Sequence, residues 1–218
     1  MSLDYGTLKE MVKMTYEFNS SMGQPVDTGY SMPNDLSLLR LKLIEEETKE
    51  FINAILHETD ANRLKEGCDL LYVLAGTVAT VGMEACNNIP VNFKTAKIPS
   101  TPIEDLSPYC KLIETANNLA AQVVKCHPDK STRKWYVEIH IPYCMSLIFD
   151  LLTNYFFYGD TGLTLTAFKT VHDSNMSKLD DDGKPIRRED GKILKGPNYY
   201  PPDMTPFTIL RKNGGERR

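Results

Sequence analysis

Two helical patterns joined by a very short link set the strongest limit on how this chain folds. Apolar residues recur at helical spacing from about residue 34 to His57, and again from Asp60 to about Met83. We expect Asn34 or Asp35 to cap the first of these helices and Asp60 to cap the second. Helices joined by so short a link lie antiparallel. The sequence therefore predicts an antiparallel helical pair.

The rest of the chain adds four helical patterns and an irregular end. These patterns cover about residues 4–19, 109–126, 133–157 and 163–178. Pro142 is expected to kink the third of them or divide it. No helical period follows residue 178, and Asp190-Gly191 is a turn dipeptide that favours a small hairpin. The predicted fold class is all-α, an antiparallel helical bundle with an irregular C-terminal arm that includes a small hairpin.

We expect one domain over residues 1–218. The predicted parts are a core of about 4–84 and 143–178, an insertion or extra helix at 85–142, and an extended tail at 179–218.

Composition excludes several classes of partner. The net charge of −4 over 218 residues gives no broad field for nucleic acid or an anionic membrane. No apolar run approaches the ~18 residues of a membrane span, and the N-terminus lacks a signal-peptide pattern. The five cysteines are scattered without C-x-x-C spacing, which favours a reducing compartment. We expect a cytoplasmic protein that binds neither nucleic acid nor a membrane.

Acidic residues stand where the first helix of the pair should pack. Its predicted apolar stripe, Leu36, Leu39 and Leu43, continues by helical steps onto Glu47 and Glu50. The second helix is apolar nearly all round, yet two more acids stand at its head, three residues apart. These are Glu66 and Asp69.

Four carboxylates brought together in a bundle are prohibitively costly unless cations compensate them. An alternative is a solvated acidic face in which Lys49 and Arg40 pair with the glutamates. The short link favours a metal site, because it brings Glu47 and Glu50 level with Glu66 and Asp69. An all-oxygen ligand set suits Mg²⁺ or Mn²⁺.

The motif E-E-x-x-E at Glu46, Glu47 and Glu50, followed by E-x-x-D at Glu66 and Asp69, resembles the all-α nucleoside triphosphate pyrophosphohydrolases. That superfamily includes MazG-like enzymes, phosphoribosyl-ATP pyrophosphohydrolases and dimeric dUTPases. The flanks "LRLKLIEEETKEF" and "EGCDLLYVLAG", and the tail "VHDSNMSKLDDDGKPIRREDGKILKGPNYYPPDM", are similar to the phosphoribosyl-ATP pyrophosphohydrolase-like branch. The resemblance covers about residues 4–84 and 143–204.

This resemblance implies a Mg²⁺-dependent hydrolase that cleaves a nucleoside triphosphate between its α and β phosphates, giving a monophosphate and pyrophosphate. Glu46 would be the base that orients the attacking water, or a further metal ligand. The family assembles as homodimers or homotetramers. Candidate substrate-binding residues on the sixth helical pattern and the tail are Lys169, Asn175, Lys178, Lys195 and Tyr199. Asn175 and Lys178 match the family's N-x-x-K element.

Several alternatives stay open from the sequence. The protein could be a phosphoribosyl-ATP pyrophosphohydrolase of histidine synthesis, or a non-catalytic helical interaction module stabilised by a metal. The tail could cover the pocket or pack on a neighbouring subunit. The preferred base and sugar cannot be read from the sequence.

Overall fold

A computed structural model describes residues 3–89, 105–187, 189 and 193–214, with the side chains of the last helix described as far as residue 209. Its α-helices are α1 Tyr5–Ser21, α2 Asn34–His57, α3 Asp60–Val81, α4 Ser107–Cys126, α5 Lys130–Trp135, α6 Ile141–Phe157, α7 Thr161–Met176 and α8 Thr205–Gly214. Short 3-10 turns occur at Gly29–Ser31 and Met83–Asn88. The described part of the chain contains no β-strand beyond isolated bridges, so the predicted all-α class is confirmed.

Side-chain caps fix where α1, α3, α5 and α7 begin. The Asp4 carboxylate accepts a hydrogen bond from the Thr7 amide at 2.8 Å and starts α1. Thr59 caps α3, so the expectation that Asp60 is the cap was wrong. The predicted Asn34 or Asp35 cap of α2 was wrong as well. Pro33 occupies the N-cap position there without a side-chain hydrogen bond, and Asn34 is already helical.

Helix α3 lies at the centre of the bundle. It packs against α1, α2, α6 and α7, and its residues from Leu70 onward are almost all buried. Gly67 permits the close approach of α6, because a Cβ atom there would lie 2.8 Å from Leu152 Cδ2 and 3.0 Å from Phe51 Cε2. Each large apolar side chain buried in this way contributes about 1.5–3 kcal/mol. The helices that carry the acids are therefore held on a rigid core.

The packing face of α2 differs from the predicted stripe. Leu39 is 37% exposed and Leu43 is half-buried, whereas Leu41, Ile44 and Phe51 are buried in the core. Leucines occur on nearly every side of residues 36–43, so the spacing alone allowed more than one face. Small polar residues such as Ser37 and Thr48 also belong to the buried face. The consequence is that the acids border the packing seam and do not continue it.

The helical run around Pro142 is divided as the sequence predicted. A π-helical turn at Tyr136–His140 separates α5 from α6, and Pro142 lies in the first turn of α6. Proline has no N–H to donate, so its place just after an irregular turn costs little. The described part of the predicted insertion belongs to the bundle, since α4 packs on α2 and Asn117 Nδ2 donates to Thr48 Oγ1 at 2.9 Å.

The C-terminal arm contains two isolated antiparallel bridges, and the second of them flanks the segment predicted to turn. Antiparallel bridges join Leu179 to Pro185 and Arg187 to Ile193. The turn dipeptide 190–191 lies outside the described residues. Helix α8 was not predicted, because the sequence after residue 178 shows no helical period. Phe207 on α8 packs edge-on against Phe157, with ring centroids 6.0 Å apart.

No helix in the described ranges is both long and apolar enough to cross a membrane. The expected homodimer or homotetramer and the cytoplasmic location stay predictions.

Candidate active site

Three carboxylates meet where α2 and α3 run side by side. Glu47 of α2 and Glu66 and Asp69 of α3 each offer an oxygen, and these oxygens all lie within 4.8 Å of one another. All three side chains are half-buried. The antiparallel pairing of the helices places Glu47 opposite Asp69, as the short link predicted.

The cluster carries more negative charge than its surroundings can solvate. Burial, with repulsion from Asp69, Glu50 and Glu66, raises the pKa of Glu47 to about 8. Burial also raises the pKa of Glu66. Both shifts report a site where like charges are held together at an electrostatic cost. Strongly shifted pKa values of this kind cluster at functional sites.

Lys65 is a member of the cluster that the sequence analysis missed. Its ammonium group lies 2.7 Å from Glu66 Oε1 and 2.8 Å from Asp69 Oδ2. Burial opposes its charge, but the two carboxylates outweigh burial and raise the pKa of Lys65 above its usual range. Its position beside Glu66 and four residues before Asp69 was the available signal.

The donor set fits a divalent cation. Glu66 Oε2 is buried and has no hydrogen-bond partner among the described residues. An acceptor left without a partner inside an acidic cluster is the feature that a bound cation would complete. The ligands are all carboxylate oxygens, which hard cations such as Mg²⁺ and Mn²⁺ prefer.

The other two predicted acids lie beside these three. Glu50 is exposed and is not one of the converging carboxylates, although its charge contributes to the raised pKa values of Glu47 and Glu66. Glu46 lines a cavity next to the cluster, and its side chain is 40% exposed. Its carboxylate lies 3.9 Å from Lys42 Nζ. Glu46 is therefore placed beside the carboxylate cluster and outside it.

A cavity of about 160 Å³ opens from the carboxylates between α1, α2, α3, α7 and the arm. The end of the cavity at the carboxylate cluster is lined by Glu47, Asp69, Asn175 and Lys178. The exposed Leu39 and half-buried Leu43 also line this cavity, which explains why the apolar stripe of α2 does not face the core.

Two of the predicted cationic and amide residues reach the cavity. Lys178 Nζ donates to Asn175 Oδ1 at 2.6 Å. Burial lowers the pKa of Lys178, although Asp69 and Glu47 act in the opposite direction. Lys169 does not line the cavity and instead pairs with Asp173 at the surface. Three-residue steps drift by about 60° each, so Lys169 is turned about 120° away from Asn175.

The arm contributes Ile193 to the cavity wall. Lys195 and Tyr199 do not line it; Lys195 Nζ lies 4.5 Å above the centre of the Tyr199 ring. The charge of Lys195 is close enough to contribute to the lowered pKa of Lys178. The two predicted roles of the arm, as a cover over the pocket or as a contact with a neighbouring subunit, stay predictions.

Residues 15–89 match the family model of phosphoribosyl-ATP pyrophosphohydrolase, PRA-PH. The matched family is a MazG-like, all-α pyrophosphohydrolase family. The predicted resemblance is thereby confirmed over this PRA-PH segment, which runs from the middle of α1 through α3 and holds all five acids. No curated protein and no solved structure is significantly similar to the chain. Enzymes of the PRA-PH type are hydrolases of phosphoric anhydrides.

Proposed function

We propose that the protein is a divalent-metal-dependent nucleoside triphosphate pyrophosphohydrolase, which converts a nucleoside or deoxynucleoside triphosphate to its monophosphate and pyrophosphate. One observation carries this proposal. The oxygens of Glu47, Glu66 and Asp69 converge, and two of these residues, Glu47 and Asp69, line a cavity that Asn175 and Lys178 line too. Cation ligands and phosphate-binding groups thus meet in one place.

Each side chain of the site has a distinct task in this proposal. Glu47, Glu66 and Asp69 would hold the metal, and the exposed Glu50 would serve as a further ligand. A bound divalent cation neutralises the polyphosphate and lowers the pKa of water. Lys178 donates to a phosphate oxygen, and Asn175 orients Lys178 through their hydrogen bond.

Glu46 accepts the proton of the attacking water. The water oxygen forms a bond to one phosphorus of the α–β anhydride, and the bond from that phosphorus to the bridging oxygen breaks. The bridging oxygen departs with the other phosphorus, so the products are a monophosphate and pyrophosphate. The position of Glu46 beside the carboxylate cluster supports this role, because a metal-free carboxylate can act as a general base.

A phosphoribosyl-ATP pyrophosphohydrolase is the second candidate, and the family match favours it. Both activities break the same anhydride with the same acids. They differ in what the far end of the cavity must accept, since phosphoribosyl-ATP is larger than a nucleoside triphosphate.

A panel of nucleotides tests the proposal. The protein is incubated with the eight common ribo- and deoxyribonucleoside triphosphates and with phosphoribosyl-ATP, in Mg²⁺, in Mn²⁺ and in chelator. We expect pyrophosphate and a monophosphate only when the metal is present. Release of orthophosphate instead of pyrophosphate, or no product from any nucleotide, contradicts the proposal. Turnover of phosphoribosyl-ATP alone selects the second candidate.

The role of Glu46 is tested separately by Glu46→Gln. We expect its turnover to fall by roughly 10²- to 10⁴-fold, the usual contribution of a general base. Its thermal stabilisation by Mg²⁺ should stay, since Glu46 is outside the carboxylate cluster. Normal turnover in this variant would remove Glu46 from the mechanism.

A further inference from the structure

Arg40 on α2 is a buried cation that forms no ion pair with an acid in the part of the chain that the structure describes. Only 6% of the residue is exposed. Its Nε donates to Thr77 Oγ1 at 3.0 Å, and one terminal nitrogen donates to the Val73 carbonyl at 2.6 Å. Within the described residues, no carboxylate forms an ion pair with it, and its other terminal nitrogen donates to no protein acceptor. The side chain also lines the cavity.

A buried guanidinium without a counter-ion is costly, so its retention requires a physical reason. Burial lowers the pKa of Arg40 to about 10, which reflects this cost. Helix α3 leaves space for the Arg40 guanidinium at Gly76. A Cβ atom on Gly76 would lie 2.8 Å from a terminal nitrogen of Arg40. The guanidinium thus occupies a space that an alanine would partly fill.

Arg40 stands at a fixed distance from the carboxylates. It precedes Glu47 by seven residues, which is two helical turns and about 10 Å along α2. Gly76 follows Asp69 by the same seven residues on the antiparallel α3. Along the axes of the two antiparallel helices, the carboxylates therefore lie at one height and the guanidinium lies two turns away. A nucleotide whose phosphates lie at the carboxylates would bring its base towards Arg40.

The wall beside Arg40 suits a flat heterocycle. Phe18 and Tyr72 line the cavity and pack edge to face, with ring centroids 5.6 Å apart. Asn19 is 2% exposed and also lines it. Asn19 Nδ2 donates to the Gly76 carbonyl at 3.2 Å, while its Oδ1 accepts no hydrogen bond from the described residues. Among the described residues, Arg40 therefore has one unused donor and Asn19 one unused acceptor, and both side chains lie next to Gly76.

We propose that Arg40 is a specificity-determining residue that donates to a carbonyl oxygen of the nucleobase, while Asn19 accepts from the neighbouring ring N–H. Uracil, thymine and guanine present a carbonyl beside a ring N–H. Cytosine and adenine present an amino group in the corresponding position, which would face the guanidinium donor to donor. The pocket thus selects bases with a keto group. This inference rests on the proposed function, which supplies the orientation of the nucleotide.

The test compares keto with amino bases in wild-type protein and in Arg40→Met. We expect wild-type kcat/KM to favour dUTP, dTTP or dGTP over dCTP and dATP. In Arg40→Met the ratio of the best keto substrate to dCTP should fall by about 10- to 100-fold, because a hydrogen bond from a charged donor is lost. The fold should survive, since an apolar residue replaces an uncompensated buried charge.

Two further variants keep the result interpretable. Gly76→Ala leaves Arg40 in the sequence but displaces its flexible tip, so the keto preference should fall there too. Arg133→Met is the matched control, because Arg133 is also buried but does not line the cavity. Its keto preference should equal that of the wild type. Melting temperatures identify any variant that fails to fold.

Direct binding separates this inference from the proposed function. Calorimetry with UMP, GMP, CMP and AMP measures base preference even if no triphosphate is hydrolysed. Pyrophosphate release with an unchanged keto-to-amino ratio in Arg40→Met and Gly76→Ala would leave the function standing and overturn the role of Arg40. If Arg40→Met bound inorganic phosphate more weakly than the wild type but kept its base preference, the role of Arg40 in base recognition would likewise be overturned. The guanidinium would then be assigned to binding an anion.

Discussion

Lys65 and the three carboxylates form a partly compensated charge cluster. One ammonium group pairs with Glu66 and Asp69, whereas no cation among the described residues forms an ion pair with Glu47. The raised pKa of Glu47, about 8, means that this carboxyl holds a proton more readily than an exposed glutamate. A divalent cation offers a stronger compensation, because it can contact all three carboxylates at once.

Glu66→Gln tests the metal site at the level of one residue. The buried and unpartnered Oε2 of Glu66 becomes part of a neutral amide, which is a poor ligand for Mg²⁺. We expect turnover to fall by at least ~100-fold. Mutation of a residue that only hydrogen-bonds to a metal ligand already lowers metal affinity or activity by about 10- to 100-fold. In wild-type protein, Mg²⁺ at 100 times its Kd should add about 2.7 kcal/mol to the free energy of unfolding. The variant should show little of this gain.

Glu45→Gln is the matched control, since Glu45 is an acid of the same helix that pairs with Lys49 at the surface. Melting temperatures of both variants are measured with Mg²⁺ and with chelator. Equal stabilisation of Glu66→Gln and wild type by Mg²⁺ would remove Glu66 from the metal site.

Single residues differed in how far the sequence could identify them. Four acids were predicted as site residues because their charge conflicts with an apolar pattern, and Glu46 was added from the family motif. Lys65 and Arg40 were missed as site residues because a cation near acids reads as a surface ion pair in a sequence. Lys169 was included because three-residue steps look like one side of a helix until their drift is added up.

Helices were predictable as elements, but their faces were less so. The helical pair and its antiparallel arrangement followed from the period and the short link. The packing face of α2 could not be predicted in this way, because Leu39 and Leu43 line a cavity that the sequence does not show. Helix α8 was missed because its stability depends on tertiary contacts such as that between Phe207 and Phe157.

The π-helical turn predicts a pH dependence of stability. It holds His140 against the rings of Tyr136 and Trp135, and Nε2 lies 3.4 Å from Cys144 Sγ. Burial lowers the pKa of His140 to about 4, whereas an unfolded histidine titrates near 6.5. The unfolded chain therefore binds more protons between these values. The free energy of unfolding should fall by at most about 3 kcal/mol as pH drops from 6.5 to 4.

Denaturant titrations of wild type and His140→Gln from pH 4 to pH 8 check this expectation. Glutamine keeps hydrogen-bonding groups but does not titrate, so its curve should lack the decline due to His140. His57→Gln is the control, because His57 is exposed at the end of α2. Parallel pH curves for wild type and His140→Gln would contradict the assignment.

Hydrogen bonds attach the C-terminal arm to the end of α7, which forms part of the cavity wall. Ser174 Oγ donates to the Tyr200 carbonyl at 2.7 Å, and the Tyr200 amide donates to Ser177 Oγ at 3.1 Å. Gly196 lies directly on the backbone next to Lys178, the residue proposed to bind phosphate. We therefore expect docking of the arm to affect the shape of the site.

Gly196→Ala tests that coupling. A Cβ atom at this position would lie 2.6 Å from the Lys178 carbonyl oxygen and 3.0 Å from that of Leu179. Backbone atoms cannot turn aside as a side chain can, so the arm must lift. We expect the free energy of unfolding to fall by about 1–3 kcal/mol. KM should rise as Ile193 and Lys178 shift, while stabilisation by Mg²⁺ stays, because the carboxylates are on α2 and α3.

Gly162→Ala is the matched substitution, since the nearest atom there is a movable Asp160 carboxylate oxygen at 3.2 Å. Alanine also favours a helix over glycine by about 1 kcal/mol, so this variant should be nearly as stable as the wild type or more stable. Unfolding curves and steady-state kinetics of the two variants distinguish the outcomes. If Gly196→Ala lost stability but kept a wild-type KM, the arm would be a structural strap that leaves the cavity unchanged. A coupled change in both would instead show that the arm positions the phosphate-binding end of the site.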